Sequence, residues 1–145
     1  MDNKIISKLL KLFPANTNME LPPKVFVDME GEFIEFIEGK KLVARYPNKS
    51  RYMNPFGFMQ GGIIVAAIDN TIAPLSYTSA EPNITTEINT TYKRPIKESD
   101  NFIEVIATIL KKTSTHIILQ AEVLNEKGKL VAKAISTCVF VKGSR

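Results

Sequence analysis

From Gly61 to about Ser79 the chain carries Ile63, Ile64, Ala67, Ile68, Ile72 and Leu75 at helical spacing, and Val65 and Ala66 spread the apolar surface almost all round. A helix that is apolar on nearly every side must be enclosed by other elements. The segments downstream are built to enclose it. Ile84 to Tyr92, Ile103 to Ile109, Ile117 to Val123 and Leu130 to Val141 all alternate apolar and polar residues in the manner of half-buried strands. Asn125-Glu126-Lys127-Gly128 is a hairpin signal between the last two. Consecutive strands joined by short turns imply antiparallel pairing, so the expectation is an α+β domain whose sheet curves around one long helix. Pro74 lies inside the helical segment, and its missing N–H predicts a kink or an end there.

Upstream, Glu32 to Glu38 and Lys41 to Tyr46 read as two more strands with a turn at Gly39. Met1 to Phe13 reads as an amphipathic helix with Lys4, Lys8 and Lys11 on one stripe and Ile5, Leu9 and Leu12 on another. Pro14, Pro22 and Pro23 mark an irregular connection. The expected division is therefore residues 1–23 as helix and linker, and 24–145 as the folded domain.

Composition excludes several function classes. At 145 residues and 16.2 kDa, with 44% hydrophobic and 23% charged residues, the chain suits one globular domain. Its longest strongly apolar uncharged run, Ile63 to Ile68, is far short of the roughly 20 residues that span a bilayer. One cysteine, Cys138, forms no internal disulfide and fits a reducing, cytoplasmic setting. With a single histidine, His116, no His/Cys metal cage can form, so neither a metal nor a cofactor is expected. The net charge of +4 comes without any nucleic-acid motif.

Chemistry concentrates at Asn54-Pro-Phe-Gly-Phe-Met-Gln-Gly-Gly62, which runs into the helix carrying Asp69. Two glycines at a helix start leave the first N–H groups open, where the helix dipole favours an oxygen that becomes anionic in acyl transfer. A tight loop-to-helix turn explains the same glycines. Asp69 is the only charged side chain between Arg51 and Glu81. It is either a general base or a structural carboxylate satisfied by Asn70 or nearby backbone. Eight residues separate Gly61 from Asp69, roughly 12 Å along a helix, whereas a base and an oxyanion donor must converge within about 3 Å of one reacting group. Two chains with antiparallel helices solve this, so an obligate homodimer with shared sites is expected.

The pattern Asn54-x-x-Gly57-x-x-Gln60-Gly61-Gly62, Asp69 seven residues on, and a Thr/Asn/Tyr strand closing in Arg94-Pro95 resembles the hotdog-fold acyl-CoA thioesterases. It is most similar to the phenylacetic acid degradation (4-hydroxybenzoyl-CoA thioesterase-like) type, over about Phe33 to Val141. The resemblance implies a hotdog fold, a homodimer often paired again into a tetramer, and coenzyme A as part of the substrate. It implies Asp69 as the carboxylate acting on water, the Gly61 N–H polarising the thioester carbonyl, Asn54 near that carbonyl, and Thr85 helping to hold the water. Gln60 stands where the family usually has His; glutamine donates a hydrogen bond but shuttles no proton. By the same resemblance Lys111, Lys112, Thr113 and Ser114 are candidates for the nucleotide phosphates, beside Lys49, Arg51, Lys93 and Arg94. Met59, Ile63, Phe56 and Phe58 are expected to line the acyl pocket, and Gly62 to contact the substrate. Two functions are compatible with this pattern: thioester hydrolysis, or a dimer that holds acyl-CoA without cleaving it. Hotdog dehydratase or hydratase chemistry needs a placed His, and His116 is expected on a solvent face. Cys138 reads as a packed thiol.

Overall fold

The computed structural model describes residues 3–13 and 18–142. In chain order they form α1 (Asn3–Leu12), α2 (Lys24–Asp28), β1 (Glu32–Ile37), β2 (Lys41–Pro47), a 3-10 turn (Ser50–Tyr52), α3 (Gly61–Ser79), β3 (Asn83–Tyr92), β4 (Phe102–Lys112), β5 (His116–Asn125) and β6 (Leu130–Phe140). The start of the first helix at Met1 and the break at Pro14 lie outside the described residues.

The expected sheet around one helix is present. Six antiparallel strands run in the order β1-β2-β4-β5-β6-β3, and α3 packs against five of them. Its Ala67, Ile68, Ile72 and Leu75 are fully buried, as are Ile117, Leu119, Ala121 and Val123 from alternate positions of β5. Pairing follows the apolar pattern: Leu42, Ala44 and Tyr46 of β2 lie opposite Ala107, Val105 and Ile103 of β4, all of them buried.

Three expectations need correction. First, β3 and β4 are consecutive but not paired. The helix carries the chain across the sheet, so β3 lands at the far edge beside β6, while β4 returns to fill the free side of β2. Second, Pro74 does not end α3, which continues to Ser79. Side chains tie the last turns together: Thr78 Oγ1 donates to the carbonyls of Pro74 and Leu75 at 3.0 Å, and Ser76 Oγ bonds the Ala73 carbonyl at 2.8 Å and Asn83 Oδ1 at 2.9 Å. Enclosure by the sheet outweighs the single lost backbone bond. Third, α2 has no sequence signal at five residues, too short for periodicity. It exists because Phe26 stacks on Phe33 at 4.5 Å and meets Tyr46 edge-on at 5.8 Å. Gly31 allows this: a Cβ there would come within 2.5 Å of the Phe26 ring.

The amphipathic reading of α1 holds. Ile5 and Leu9 are buried, the helix packs on α3 and β1, and Lys8 pairs with Glu38. No helix among the described residues is long and apolar enough to cross a membrane.

Candidate active site

The middle of α3 presents Asp69 toward β3, where Thr85 Oγ1 donates to Asp69 Oδ1 at 3.2 Å. Thr85 reaches the helix because of a local irregularity. Strict alternation along β3 would put Thr85 opposite Ile88, but the register shifts between Thr85 and Glu87, so Thr85 and Ile88 both turn inward. Bulges of this kind re-aim side chains beside functional sites. Asn70, the alternative partner for the carboxylate, instead directs its amide to Met29 Sδ at 3.5 Å. Behind Thr85 lies the buried Cys138 thiol, 3.7 Å from Thr85 Oγ1 and 3.9 Å from Ser136 Oγ, a packed thiol as expected.

The Asp69 charge is felt by two phenols. Burial pushes the Tyr46 hydroxyl far above its ordinary value of 10.0; Asp69 adds to the rise, and a 2.9 Å hydrogen bond with Thr71 opposes it. Tyr77 is raised by burial first and then by Asp69. Both remain neutral hydroxyls across the physiological range.

The other half of the site is at the helix start. Asn54 organises the preceding loop: its Oδ1 accepts from the N–H groups of Phe56 at 2.9 Å and Phe58 at 3.1 Å, and its own N–H donates to the Phe58 carbonyl at 2.6 Å. The Asn54 side-chain nitrogen donates to no group among the described residues. The Gln60 N–H is fixed to the Tyr52 carbonyl at 2.8 Å, and its side chain is exposed and caps nothing. The N–H groups of Gly61 and Gly62 donate to no group among the described residues. Tyr92, at the end of β3, donates its hydroxyl to the Gly61 carbonyl at 2.9 Å. Sequence reasoning missed Tyr92 as a site residue; its place beside Arg94-Pro95 was the only signal.

A groove of about 370 Å³ opens here, lined by Asn54, Phe58, Met59, Gly61, Lys93 and Arg94 among others. Of the residues expected around the substrate, Met59 and Phe58 line this groove and Ile63 does not. Ile64, one residue further round the helix than Ile63, faces it. Phe56 points away and is 84% exposed. Gly62 is exposed outside the groove. Lys49 and Arg51 are engaged elsewhere, both donating to the Asp28 carbonyl at 3.2 Å, with Lys49 also 2.7 Å from Glu30.

Of the four phosphate candidates, Lys111 and Lys112 belong to β4, while Thr113 and Ser114 lie in the turn between β4 and β5. The Thr113 hydroxyl accepts from the N–H groups of Thr115 and His116. His116 lies, as expected, on the outer face of β5 with Gln120 and Glu122, opposite the buried Ile117, Leu119 and Ala121, and its ring bonds the Thr115 hydroxyl at 2.5 Å. Lys112 Nζ donates to the Ser79 carbonyl at 3.4 Å, so this turn sits at the C-terminal end of α3, roughly 27 Å along the helix from Gly61. Within one chain, then, the structure brings Thr85 to Asp69 and Asn54 to Gly61. It does not bring either pair to the other, nor the β4–β5 turn to the groove. No group of three or more His, Cys, Asp or Glu side chains among the described residues is arranged to hold a metal ion.

Comparison with known proteins places the chain in a family and a fold. The model of the Thioesterase-like superfamily matches residues 29–145, and the chain belongs to that family. A relative in Saccharolobus solfataricus, which bears the name "Putative esterase", is 31% identical over 121 residues, covering 82% of this chain and 84% of its own. The PaaI protein from the phenylacetic acid degradation operon of E. coli superposes with a TM-score of 0.78 at 16% identity, over 84% of this chain and 87% of that one. The smu.793 protein of Streptococcus mutans, solved bound to acetyl CoA, superposes with a TM-score of 0.73 at 20% identity, over 91% and 99%. The fold is the hotdog fold implied by the sequence resemblance.

Proposed function

We propose that this chain hydrolyses acyl-CoA thioesters as a homodimer, each site assembled from two protomers. The observation that carries the reading is the Thr85–Asp69 hydrogen bond at 3.2 Å, set on a helix whose glycine N-terminus has uncommitted N–H groups. A carboxylate held by a hydroxyl is equipped to orient and deprotonate water, and open helix N–H groups are equipped to receive an oxyanion. In the reaction, water oxygen bonds to the thioester carbon while its proton passes to Asp69. The carbonyl oxygen becomes anionic against the N–H of the partner subunit's Gly61, with the Asn54 amide beside that glycine. The C–S bond then breaks, and the proton on Asp69 goes to the departing sulfur.

The second protomer is required by distance and supplied by the sheet edge. The outer side of β3 has no strand neighbour among the described residues, and such an edge is a template for pairing. Within one chain Thr85 touches Asp69 and Tyr92 touches Gly61. Antiparallel pairing of two β3 strands about a two-fold axis near Ile88 and Asn89 sets the first contact of one protomer beside the second contact of the other. The same rotation carries the β4–β5 turn, and Lys111 and Lys112 at the adjoining end of β4, toward the groove of the partner. Acetyl CoA in the Streptococcus mutans protein of this fold makes CoA thioesters the class to assay first. Cytoplasmic placement and pairing of dimers into tetramers belong to the same reading.

Gln60 favours a second reading, acyl-CoA binding without cleavage, because an amide moves no proton. One experiment separates the two. Asp69→Asn is expected to remain folded and dimeric by sedimentation and to release thiol from CoA thioesters at least about 100-fold more slowly, the usual worth of a general base. Wild-type protein that binds thioesters and releases no thiol leaves only the binding reading.

A further inference from the structure

A cavity of about 210 Å³ opens beside the Asp69 carboxylate. Asp69, Ala73 and Tyr77 recur every four residues on α3 and line one stripe roughly 12 Å long, with the carboxylate at one end and the phenol at the other. The facing wall is Ile6 and Leu9 of α1 together with Pro22 and Pro23. That wall lies before residue 29, where the family match begins. Among the described residues, Asp69 is the only charged side chain lining the cavity. Beyond Tyr77 lies a second apolar recess of about 450 Å³, reached past Phe13, Leu12 and Ile84. Tyr77 lines both spaces and meets Phe13 edge-on at 6.2 Å, forming the partition between them.

We infer that this cavity is the acyl pocket, that α1 is its wall, and that the Tyr77–Phe13 contact is the stop that limits tail length. An apolar cavity of about 150 Å³ accommodates benzene. On that scale 210 Å³ takes a tail of about eight carbons, straight or aromatic. Tails ending in a charge are excluded, because nothing at the Tyr77 end compensates a buried ion. The inference rests on the thioesterase reading for the chemistry at Asp69, but the shape of the pocket is testable without hydrolysis.

The test uses full-length protein and two ladders of two to sixteen carbons. Straight-chain acyl-CoA esters report thiol release, and S-alkyl-CoA thioethers, which are not cleaved, report binding by calorimetry. Wild-type protein is expected to favour six to eight carbons in both ladders. Tyr77→Ala joins the two recesses and is expected to raise the kcat/KM ratio of the fourteen- to the eight-carbon ester at least tenfold. Ile6→Trp fills the pocket from the other side and should lower the ratio of the eight- to the two-carbon ester at least tenfold. Melting curves establish that each variant is folded. A wild-type profile that is flat, or that peaks at sixteen carbons, overturns the inference. So do unchanged ratios in whichever variants fold. Thioethers that bind with an eight-carbon optimum shifted by Tyr77→Ala, without any thiol release from the esters, keep the pocket and remove the hydrolase reading. Absence of both binding and release removes both.

Discussion

Gly61→Ala separates what the helix start does for stability from what it does for chemistry. A Cβ at this position would lie 2.9 Å from Tyr92 Oη and 3.0 Å from its Cζ, well inside the ~3.5–4.0 Å of an ordinary contact. Tyr92 is 50% exposed, so its ring can swing outward, and the loss is its hydrogen bond to the Gly61 carbonyl. A net hydrogen bond of this kind contributes about 0.5–1.5 kcal/mol. Replacing glycine by alanine in a helix regains up to about 1 kcal/mol, less at the first turn. The balance is a destabilisation of at most about 1 kcal/mol, or about 4 °C in Tm for a chain of this length, measured at fixed protein concentration. Activity should fall far more. Alanine keeps the N–H, but its methyl crowds the approach of the oxyanion to it, and one such donor contributes about 100-fold or more to turnover. Thiol release at saturating substrate and a thermal melt on the same sample measure both quantities. Tyr92→Phe is the control, since it removes the hydrogen bond without adding a methyl, and it should lower kcat only a few-fold. An unchanged kcat in Gly61→Ala would refute the placement of this N–H at the reacting carbonyl. A 100-fold loss in Tyr92→Phe would show that anchoring of the helix start, not the added methyl, is what matters.

Thr85→Val keeps the shape of the side chain and deletes its bond to Asp69; kcat should drop about tenfold with KM little changed, because a hydrogen bond to a charged acceptor contributes about 1.5–3 kcal/mol and only part of that is specific to the transition state. Steady-state kinetics on one thioester decides it, and equal losses in binding and turnover would point to substrate positioning instead. The alkaline limb of stability belongs to Tyr46. Its phenol is raised in the folded state above the ordinary 10.0, so the folded protein holds a proton that the unfolded chain releases. The stabilisation is complete below pH 10 and is lost as pH climbs toward the folded-state value. Urea titrations between pH 9 and 11.5 should show wild-type stability falling more steeply than that of Tyr46→Phe, and parallel slopes would contradict the assignment.

How much of this was legible in the sequence depends on whether the signal is local. The α3 segment announced itself because apolar residues on every side have few alternatives to enclosure, and Asp69 stood out against that background. The hairpin turns at Gly39 and Gly128, both with positive φ, were equally readable. Strand order was not, since whether β4 pairs with β3 or β2 depends on where α3 delivers the chain, and no residue encodes that by itself. Family resemblance put Thr85 at the water on which Asp69 acts, but not its direct bond to Asp69; alternation alone set Thr85 opposite Ile88, and only the register shift before Glu87 turns it to the helix. Tyr92 escaped notice because its role is a contact across 31 residues. Gln60, the visible departure from the family pattern, proves to be the residue whose backbone matters locally, through Tyr52, while its side chain is free.

These observations divide the molecule by task. The elements shared with the family carry the pieces proposed for bond breaking: Asp69 and Thr85 at one end of the β3 contact with α3, Gly61 and Tyr92 at the other. The segment before residue 29 carries none of them, yet Ile5 and Leu9 are buried as completely as the core of the sheet. Surface decoration would not bury both residues so fully. Of the two, Leu9 also lines the cavity beside Asp69, together with Ile6, while Ile5 packs into the core. Changes in α1 should therefore alter which thioester is accepted while leaving the chemistry at Asp69 in place, and changes along β3 should do the reverse. The sharpest form of that contrast is a cross-comparison: Ile6→Trp should redistribute kcat/KM among tail lengths, whereas Thr85→Val should lower all of them by a common factor.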